Sequence, residues 1–144
     1  MDEKEKIARK IRNMKKYVDF LKSYKSIPMG RLEEDYALKS AIERNFQLAI
    51  ESALDIGEVI ISTESYEKPE DYRSVILILG RHGILPHDFA ERFARAVGLR
   101  NILVHMYEEV DIEKLYDYLQ NNLIDFDEYS KYIAGYLEEK VQSL

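Results

Sequence analysis

The chain has 144 residues with a formal net charge of −6, and it contains 6 Gly, 3 Pro and no Cys. Hydrophobic residues make up 46% and charged residues 33%, which favours one folded domain and excludes a disordered chain. The lack of Cys excludes disulfides, thiolate catalysis, Cys-based zinc sites and iron–sulfur clusters. The longest wholly apolar run, residues 75–79, is far shorter than a membrane span. Because nothing resembles a signal peptide either, the sequence predicts a cytoplasmic protein.

The first half of the chain predicts two helices. One apolar stripe, with alternating steps of four and three residues, predicts a first helix. Its members are Ile7, Ile11, Met14, Val18 and Leu21. A break at residues 26–30 follows, and a second, longer helix begins near residues 31–35 with the apolar spacing of a helical bundle. Its members are Leu38, Ile42, Phe46, Ala49, Ala53, Ile56 and Ile60.

Residues 63–68 are polar and predict a loop, after which Pro69 and two acidic residues begin a third helix. Periodicity alone does not distinguish a buried strand from a helix in the apolar run 75–79. No other segment offers a strand partner, so a helix is predicted, and Gly80 and Gly83 end it.

Three further helices are predicted after Gly83. Pro86 begins a fourth helix that extends to about Tyr107. Asp111 caps a short fifth helix, and Asp125 with Glu128 predicts a capping box for the last one. The last helix is expected to bury Tyr129, Ile133, Tyr136 and Leu137. The sequence thus predicts an all-α, up-and-down bundle of about five to six helices in one domain spanning residues 1–144.

Three histidines, His82, His87 and His105, lie within residues 81–105, together with four Arg and only two acidic residues. In an acidic protein this locally basic segment is where an anion such as phosphate is attracted, although solvated helix faces account equally well for such arginines. His82 and His87 do not share one helix face, so two loop histidines are favoured over metal ligands. No metal and no cofactor is predicted.

The most specific feature is the segment at residues 100–107, Arg-Asn-Ile-Leu-Val-His-Met-Tyr. On a helix, Arg100 and Tyr107 lie on one flank, and Asn101 and His105 lie on the other. If this helix packs against its own copy across a two-fold axis, the Arg flank of one subunit meets the His flank of its partner. An isolated surface Arg and a core His are the alternative interpretation.

Such an interface would hold the groups that metal-free RNA cleavage requires. An imidazole with a pKa near neutral moves a proton. A guanidinium holds a phosphate and stabilises developing charge. Asn101 is placed to orient the ring of His105, four residues further on. In this reaction the 2′-hydroxyl of RNA attacks the adjacent phosphate, so DNA is not a substrate by the same route.

The segment resembles the Arg-Asn-x-x-x-His-x-Tyr motif of the HepT-like ribonuclease toxins, a branch of the HEPN superfamily. The resemblance implies a HEPN-like homodimer that cleaves RNA without a metal in a cleft shared by both subunits. Arg100 would then bind the scissile phosphate, His105 would be the general base or acid, and Asn101 would support the site. In such type VII-like toxin–antitoxin pairs, a minimal nucleotidyltransferase antitoxin would silence the toxin by transferring AMP to Tyr107.

Two other functions stay open at this point: a non-catalytic helical partner or substrate-binding subunit of a nucleotidyltransferase, and a structural helical dimer.

Four polar residues of the second helix have two possible roles. They either line the cleft or, as the favoured interpretation, form pairs within or between helices. They are Arg44, Asn45, Glu51 and Asp55. Gly57 and Gly135 indicate close helix crossings, since Gly within a helix costs about 1 kcal/mol relative to Ala. Gly98, one turn before the motif, is expected to allow a close backbone approach.

Overall fold

A computed structural model of the chain describes residues 2–104 and 111–142. Within these residues the chain forms eight α-helices and no strand, so the predicted all-α class is confirmed. The helices are α1 Glu3–Ser23, α2 Met29–Glu34, α3 Tyr36–Glu64, α4 Tyr72–Arg81, α5 His87–Ala96, α6 Leu99–Val104, α7 Ile112–Asn121 and α8 Leu123–Gln142. The count exceeds the predicted five to six because α2 is separate from α3 and the predicted fourth helix is divided into α5 and α6. None of the described helices is both long and apolar enough to cross a bilayer.

The two longest helices, α1 and α3, form the centre of the bundle. They are antiparallel, since the Glu3 side chain contacts Thr63 while Lys10 contacts Asp55. The apolar stripe predicted for α3 is buried throughout, and that of α1 is buried except for the half-buried Ile11. Removal of these two stripes from water is therefore a main source of stability.

The apolar run 75–79 lies within α4, so the prediction of a helix there is confirmed. This helix begins at Tyr72 rather than at Pro69, because Asp71 caps it. The Asp71 carboxylate accepts a hydrogen bond from the Ser74 amide at 2.8 Å, and the Ser74 hydroxyl accepts one from the Asp71 amide at 3.0 Å. This reciprocal pair satisfies amides that a helix start leaves without partners.

The predicted single helix from Pro86 toward Tyr107 is wrong at Gly98. α5 ends at Ala96 and α6 begins at Leu99. The Gly98 amide donates to the Arg95 carbonyl at 3.0 Å, and a Cβ at Gly98 would lie only 2.9 Å from that oxygen. The close approach expected at Gly98 therefore occurs within the turn between the two helices, where a side chain does not fit. The predicted extension to Tyr107 lies outside the described residues.

The capping box predicted for the last helix is also wrong. α8 begins at Leu123, directly after Asn122, so Asp125 lies within the first turn instead of preceding it. Asp125 is only 4% exposed, and with Glu128 it binds Arg92 of α5, at 3.3 and 3.2 Å. These two acids therefore link two helices rather than cap one.

The inward face predicted for α8 is confirmed. Tyr129 and Ile133 are fully buried, Tyr136 is 9% exposed, and Leu137 packs partly buried against the core.

The two helix-interior glycines differ in their surroundings. A Cβ at Gly57 would lie 2.5 Å from Val75 Cγ1, so the predicted close crossing is confirmed there, between α3 and α4. A Cβ at Gly135 would meet no atom within 4 Å, so the predicted crossing at that position is wrong.

This difference predicts opposite effects for the same substitution. Gly57→Ala should destabilise the fold by about 1–3 kcal/mol, because Val75 is β-branched and cannot rotate away from the added methyl. Gly135→Ala should stabilise it by about 1 kcal/mol through helix propensity. Urea unfolding followed by circular dichroism measures both free energies. Equal changes of the same sign would contradict the packing at Gly57.

Candidate active site

The start of the motif is held at the surface by two buried neighbours. Leu99 and Leu103, one turn apart on α6, are both 0% exposed and anchor the helix in the core. Arg100 is half-buried and Asn101 is exposed. The apolar residues of α6 thus fix the backbone from which Arg100 and Asn101 extend toward solvent.

Arg100 lines a cleft of about 360 Å³ between α3 and the start of α4. Its guanidinium carbon lies 5.8 Å from the centroid of the Tyr72 ring, near the outer limit of a cation–π contact. Asp71 and Glu58 also line this cleft. Among the described residues no carboxylate lies within ion-pair distance of Arg100, so no ion pair there occupies its paired N–H donors.

Glu51 and Asp55 form the pairs that the sequence favoured. Glu51 accepts a hydrogen bond from Gln47 at 3.1 Å, and Asp55 pairs with Lys10 of α1 at 3.6 Å. Both residues also line the Arg100 cleft, where they add negative charge. Their charge opposes an anion in the cleft, so Arg100 is the lining residue that can hold one.

Arg44 and Asn45 do not reach this cleft. Arg44 donates to Gln47 at 3.2 Å, and the Asn45 side-chain amide donates to the Ala41 carbonyl at 2.8 Å. For these two residues the favoured prediction, pairing within the helix, is confirmed.

His105 and Tyr107, the predicted proton-transfer and AMP-acceptor residues, lie outside the described residues. Tyr72 and Asp71 are neighbours of Arg100 that the sequence does not predict. They lie two helices before it in the chain, and the packing of both α4 and α6 against α3 brings these residues together.

His82 is part of a surface cluster at the end of α4. Its ring stacks on that of Tyr66, with centroids 3.7 Å apart and an interplanar angle of 7°. Its Nε2 lies 2.6 Å from one carboxylate oxygen of Glu67, and Arg81 binds the other at 3.0 Å. The hydrogen bond from His82, with a smaller contribution from Arg81, lowers the pKa of Glu67 to about 2. The cluster thus ties the loop after α3 to the end of α4.

His87 is placed differently, on α5, where it lies 3.3 Å from Glu91. In the described part of the chain, no group of three or more His, Asp or Glu is arranged to hold a metal ion. His82 and His87 contact separate carboxylates, so the structure does not bring them to one site.

The basic segment predicted at residues 81–105 is partly neutralised. Arg81 is paired with a glutamate, and Arg92 is paired with two acidic residues of α8. Arg95 and Arg100 form no ion pair among the described residues. The segment's capacity to bind an anion is therefore concentrated at these two positions, and Arg100 is the one that lines a cleft.

A family model described as ribonuclease HepT-like matches residues 14–133. The match includes the second half of α1, all of α3 and the complete motif, and it covers most of the chain. The chain belongs to the HepT-like ribonuclease family. The family and enzyme class predicted from the eight-residue motif are thereby confirmed.

Two curated relatives show how far the similarity extends. The chain is 29% identical over 122 residues to a tRNA nuclease HepT of Aphanizomenon flos-aquae, covering 85% of this chain and 83% of the relative. It is 25% identical over 100 residues to an mRNA nuclease HepT of Shewanella oneidensis, covering 69% and 75%.

The fold is that of solved HEPN toxins. The tri-AMPylated HEPN toxin of Shewanella oneidensis, solved in complex with an MNT antitoxin, superposes with a TM-score of 0.82 at 23% identity. The match covers 94% of this chain and 99% of that one. The predicted HEPN-like bundle is therefore confirmed.

Proposed function

We propose that this chain is a metal-independent endoribonuclease and the toxin of a toxin–antitoxin pair, with Arg100 and His105 as its catalytic residues. The observation that carries the proposal is the setting of Arg100. It begins a complete family motif, is positioned by the buried Leu99 and Leu103, and lines a cleft without a carboxylate partner among the described residues.

The proposed reaction is a transfer within the RNA chain. His105 takes the proton of the 2′-hydroxyl as general base, and the 2′-oxygen bonds to the adjacent phosphorus. Arg100 binds the non-bridging oxygens and stabilises the charge that develops on them. The bond to the 5′-oxygen breaks, and that oxygen receives a proton from an imidazolium. The products are a 2′,3′-cyclic phosphate and a 5′-hydroxyl.

The site is proposed to be complete only in a homodimer. On one helix, Arg100 and His105 point about 140° apart, so a single helix presents them divergently. A two-fold axis beside α6 brings the Arg flank of one subunit to the His flank of the other. In this arrangement Asn101 supports the imidazole of its own chain, and His105 of the partner subunit supplies the second proton transfer.

Regulation by a nucleotidyltransferase is proposed at Tyr107. The solved relative is AMPylated and bound to an MNT antitoxin, and in this chain Tyr107 is the last residue of the motif. The tyrosine oxygen attacks the α-phosphorus of ATP, and pyrophosphate leaves. The added phosphate carries negative charge beside Arg100 and would occupy its anion site.

Cleavage of a labelled mixture of tRNA and mRNA in EDTA tests the catalytic proposal. Unmodified wild type should cleave and leave 2′,3′-cyclic phosphate ends, whereas His105→Ala should not, because it lacks the proton-transfer group. An intact-mass measurement establishes beforehand that Tyr107 is unmodified. Absence of cleavage by both proteins would favour a non-catalytic partner of the nucleotidyltransferase.

The modification is tested by incubation with the nucleotidyltransferase and ATP. Wild type should gain mass in whole AMP units and lose cleavage activity, and Tyr107→Phe should do neither, because it has no acceptor hydroxyl. Tyr118→Phe, a substitution of a partly buried tyrosine on α7, serves as the matched control. A wild type whose mass stays unchanged beside an active transferase would contradict this regulation.

A further inference from the structure

Positive charge is concentrated on one helix of this acidic protein. α1 has eight Lys and Arg against three Asp and Glu, a net charge of +5, although the whole chain has a net charge of −6. The rest of the chain is therefore strongly negative. A polyanion would be repelled by most of the molecule and attracted to α1.

The charge of α1 is presented outward. Its buried stripe faces the core, and the opposite face has three exposed cations, Arg9, Arg12 and Lys16. Among the described residues none of the three forms an ion pair, in contrast to Lys10 and Lys22 of the same helix. We name Arg9, Arg12 and Lys16 the α1 cationic face; the acidic residues Glu5 and Asp19 flank it at its two ends.

A different side of α1, next to the α1 cationic face, packs beside the part of α3 that lines the Arg100 cleft. Lys6 and Lys10 of α1 line a cleft of about 340 Å³ against α3. Asp55 and Glu58 line both this cleft and the one at Arg100, so the two clefts are neighbours on α3 with two carboxylates between them. The α1 cationic face is therefore a surface separate from the Arg100 cleft.

We propose that the α1 cationic face is a docking surface for the phosphate backbone of the RNA, separate from the cleavage site. The proposal rests on the proposed ribonuclease function. Arg9 and Lys16 are seven residues apart and span about 10 Å along the helix axis. A nucleic-acid strand carries one negative charge on every nucleotide, so a surface of this length can contact more than one phosphate in succession. The surface would supply local attraction that the net charge of the chain does not.

The composition of the face favours RNA over an anionic membrane surface. Helices that lie on membranes insert an apolar face between the lipids. The apolar stripe of α1 is buried in the bundle, with Ile7, Met14, Val18 and Leu21 at most 2% exposed. The cationic face offers no large apolar side chain in their place.

Binding of an uncleavable RNA tests the proposal without reference to activity. A fluorescent, fully 2′-O-methylated single strand lacks the attacking hydroxyl, and its anisotropy is measured between 50 and 200 mM salt. The test variant combines Arg9→Gln, Arg12→Gln and Lys16→Gln. The control removes three other exposed lysines that form no ion pair among the described residues, with Lys68→Gln, Lys114→Gln and Lys131→Gln. Both variants lose the same charge.

The test variant should bind at least ~10-fold more weakly at 50 mM salt. The slope of log affinity against log salt should decrease in magnitude by about 2, since each single-strand phosphate contact contributes about 0.7. The control should keep the wild-type slope, and thermal melting should show that both variants are folded.

Three results would overturn the proposal: an unchanged slope in the test variant, an equal loss in the control, or α1-dependent binding to phosphatidylglycerol vesicles with RNA binding unaffected. Cleavage of unmodified RNA by the same wild-type preparation separates the two proposals. Cleavage with an unchanged slope rejects the docking surface alone, and α1-dependent binding without cleavage rejects the catalytic proposal alone.

Discussion

Arg100→Ala is expected to reduce RNA cleavage at least ~100-fold, the usual cost of removing one group that stabilises charge in the transition state. The structure gives the reason. Arg100 lines an open cleft and has no carboxylate partner among the described residues. The fold should survive, because Leu99 and Leu103, rather than Arg100, anchor α6. Initial rates on a labelled RNA in EDTA, with circular dichroism of the same samples, measure both effects.

Arg95→Ala is the matched control for this prediction. Arg95 is an exposed arginine at the end of α5, five residues before Arg100, and it too forms no ion pair among the described residues. Its removal changes the net charge equally and should leave the rate within about two-fold. Arg100→Lys should stay well below wild type, because an ammonium lacks the paired donors of the guanidinium. Equal losses of cleavage rate in Arg100→Ala and Arg95→Ala would contradict a specific role for Arg100, because both variants lose the same charge.

Tyr129→Ala is expected to destabilise the fold by about 3–5 kcal/mol, the range for removal of a large buried aromatic side chain. Tyr129 is 0% exposed, and its ring lies 4.8 Å from that of Phe93. Its hydroxyl donates to the Ala53 carbonyl at 2.7 Å, and burial raises its pKa above the usual value. One side chain thus joins α3, α5 and α8.

Two further variants separate the contributions of Tyr129. Tyr129→Phe keeps the ring and should cost only about 1 kcal/mol for the lost hydrogen bond. Tyr36→Ala removes a tyrosine that is 83% exposed and should change stability by less than about 0.5 kcal/mol. Urea unfolding measures all three free energies. Similar values for Tyr129→Ala and Tyr36→Ala would contradict the buried position of Tyr129.

Helix identity was predictable wherever the apolar period or a cap is local. The stripe of α3 and the Asp111 cap of α7 depend on residues within a few positions of one another, and both are confirmed. Some errors had local causes, such as the turn at Gly98 that divides the predicted fourth helix. The error at the start of α8 arose because a residue near a helix end has a distant partner. Asp125 has the spacing of a capping residue, but Arg92 of α5 binds it, and no pattern within α8 indicates that contact.

The same reasoning applies to charge. In sequence the basic segment is 81–105, because its arginines are neighbours in the chain. In the fold, Arg81 and Arg92 are neutralised by acids from other elements, while Arg9 and Arg12 of α1 form no ion pair among the described residues. The cations without ion pairs are therefore found mainly on α1, and not in the segment 81–105 that composition indicated.

By itself the sequence determined the all-helical class, the extent of the central helices and, through eight contiguous residues, the ribonuclease family. Each of these depends on spacing within a few turns of one helix. Only the tertiary structure decided that Tyr72 and Asp71 flank Arg100, that Gly57 and not Gly135 is a crossing point, and which cations lack partners. These properties depend on contacts between helices that lie far apart in the chain, and helical periodicity contains no information about the partner that a given face will meet.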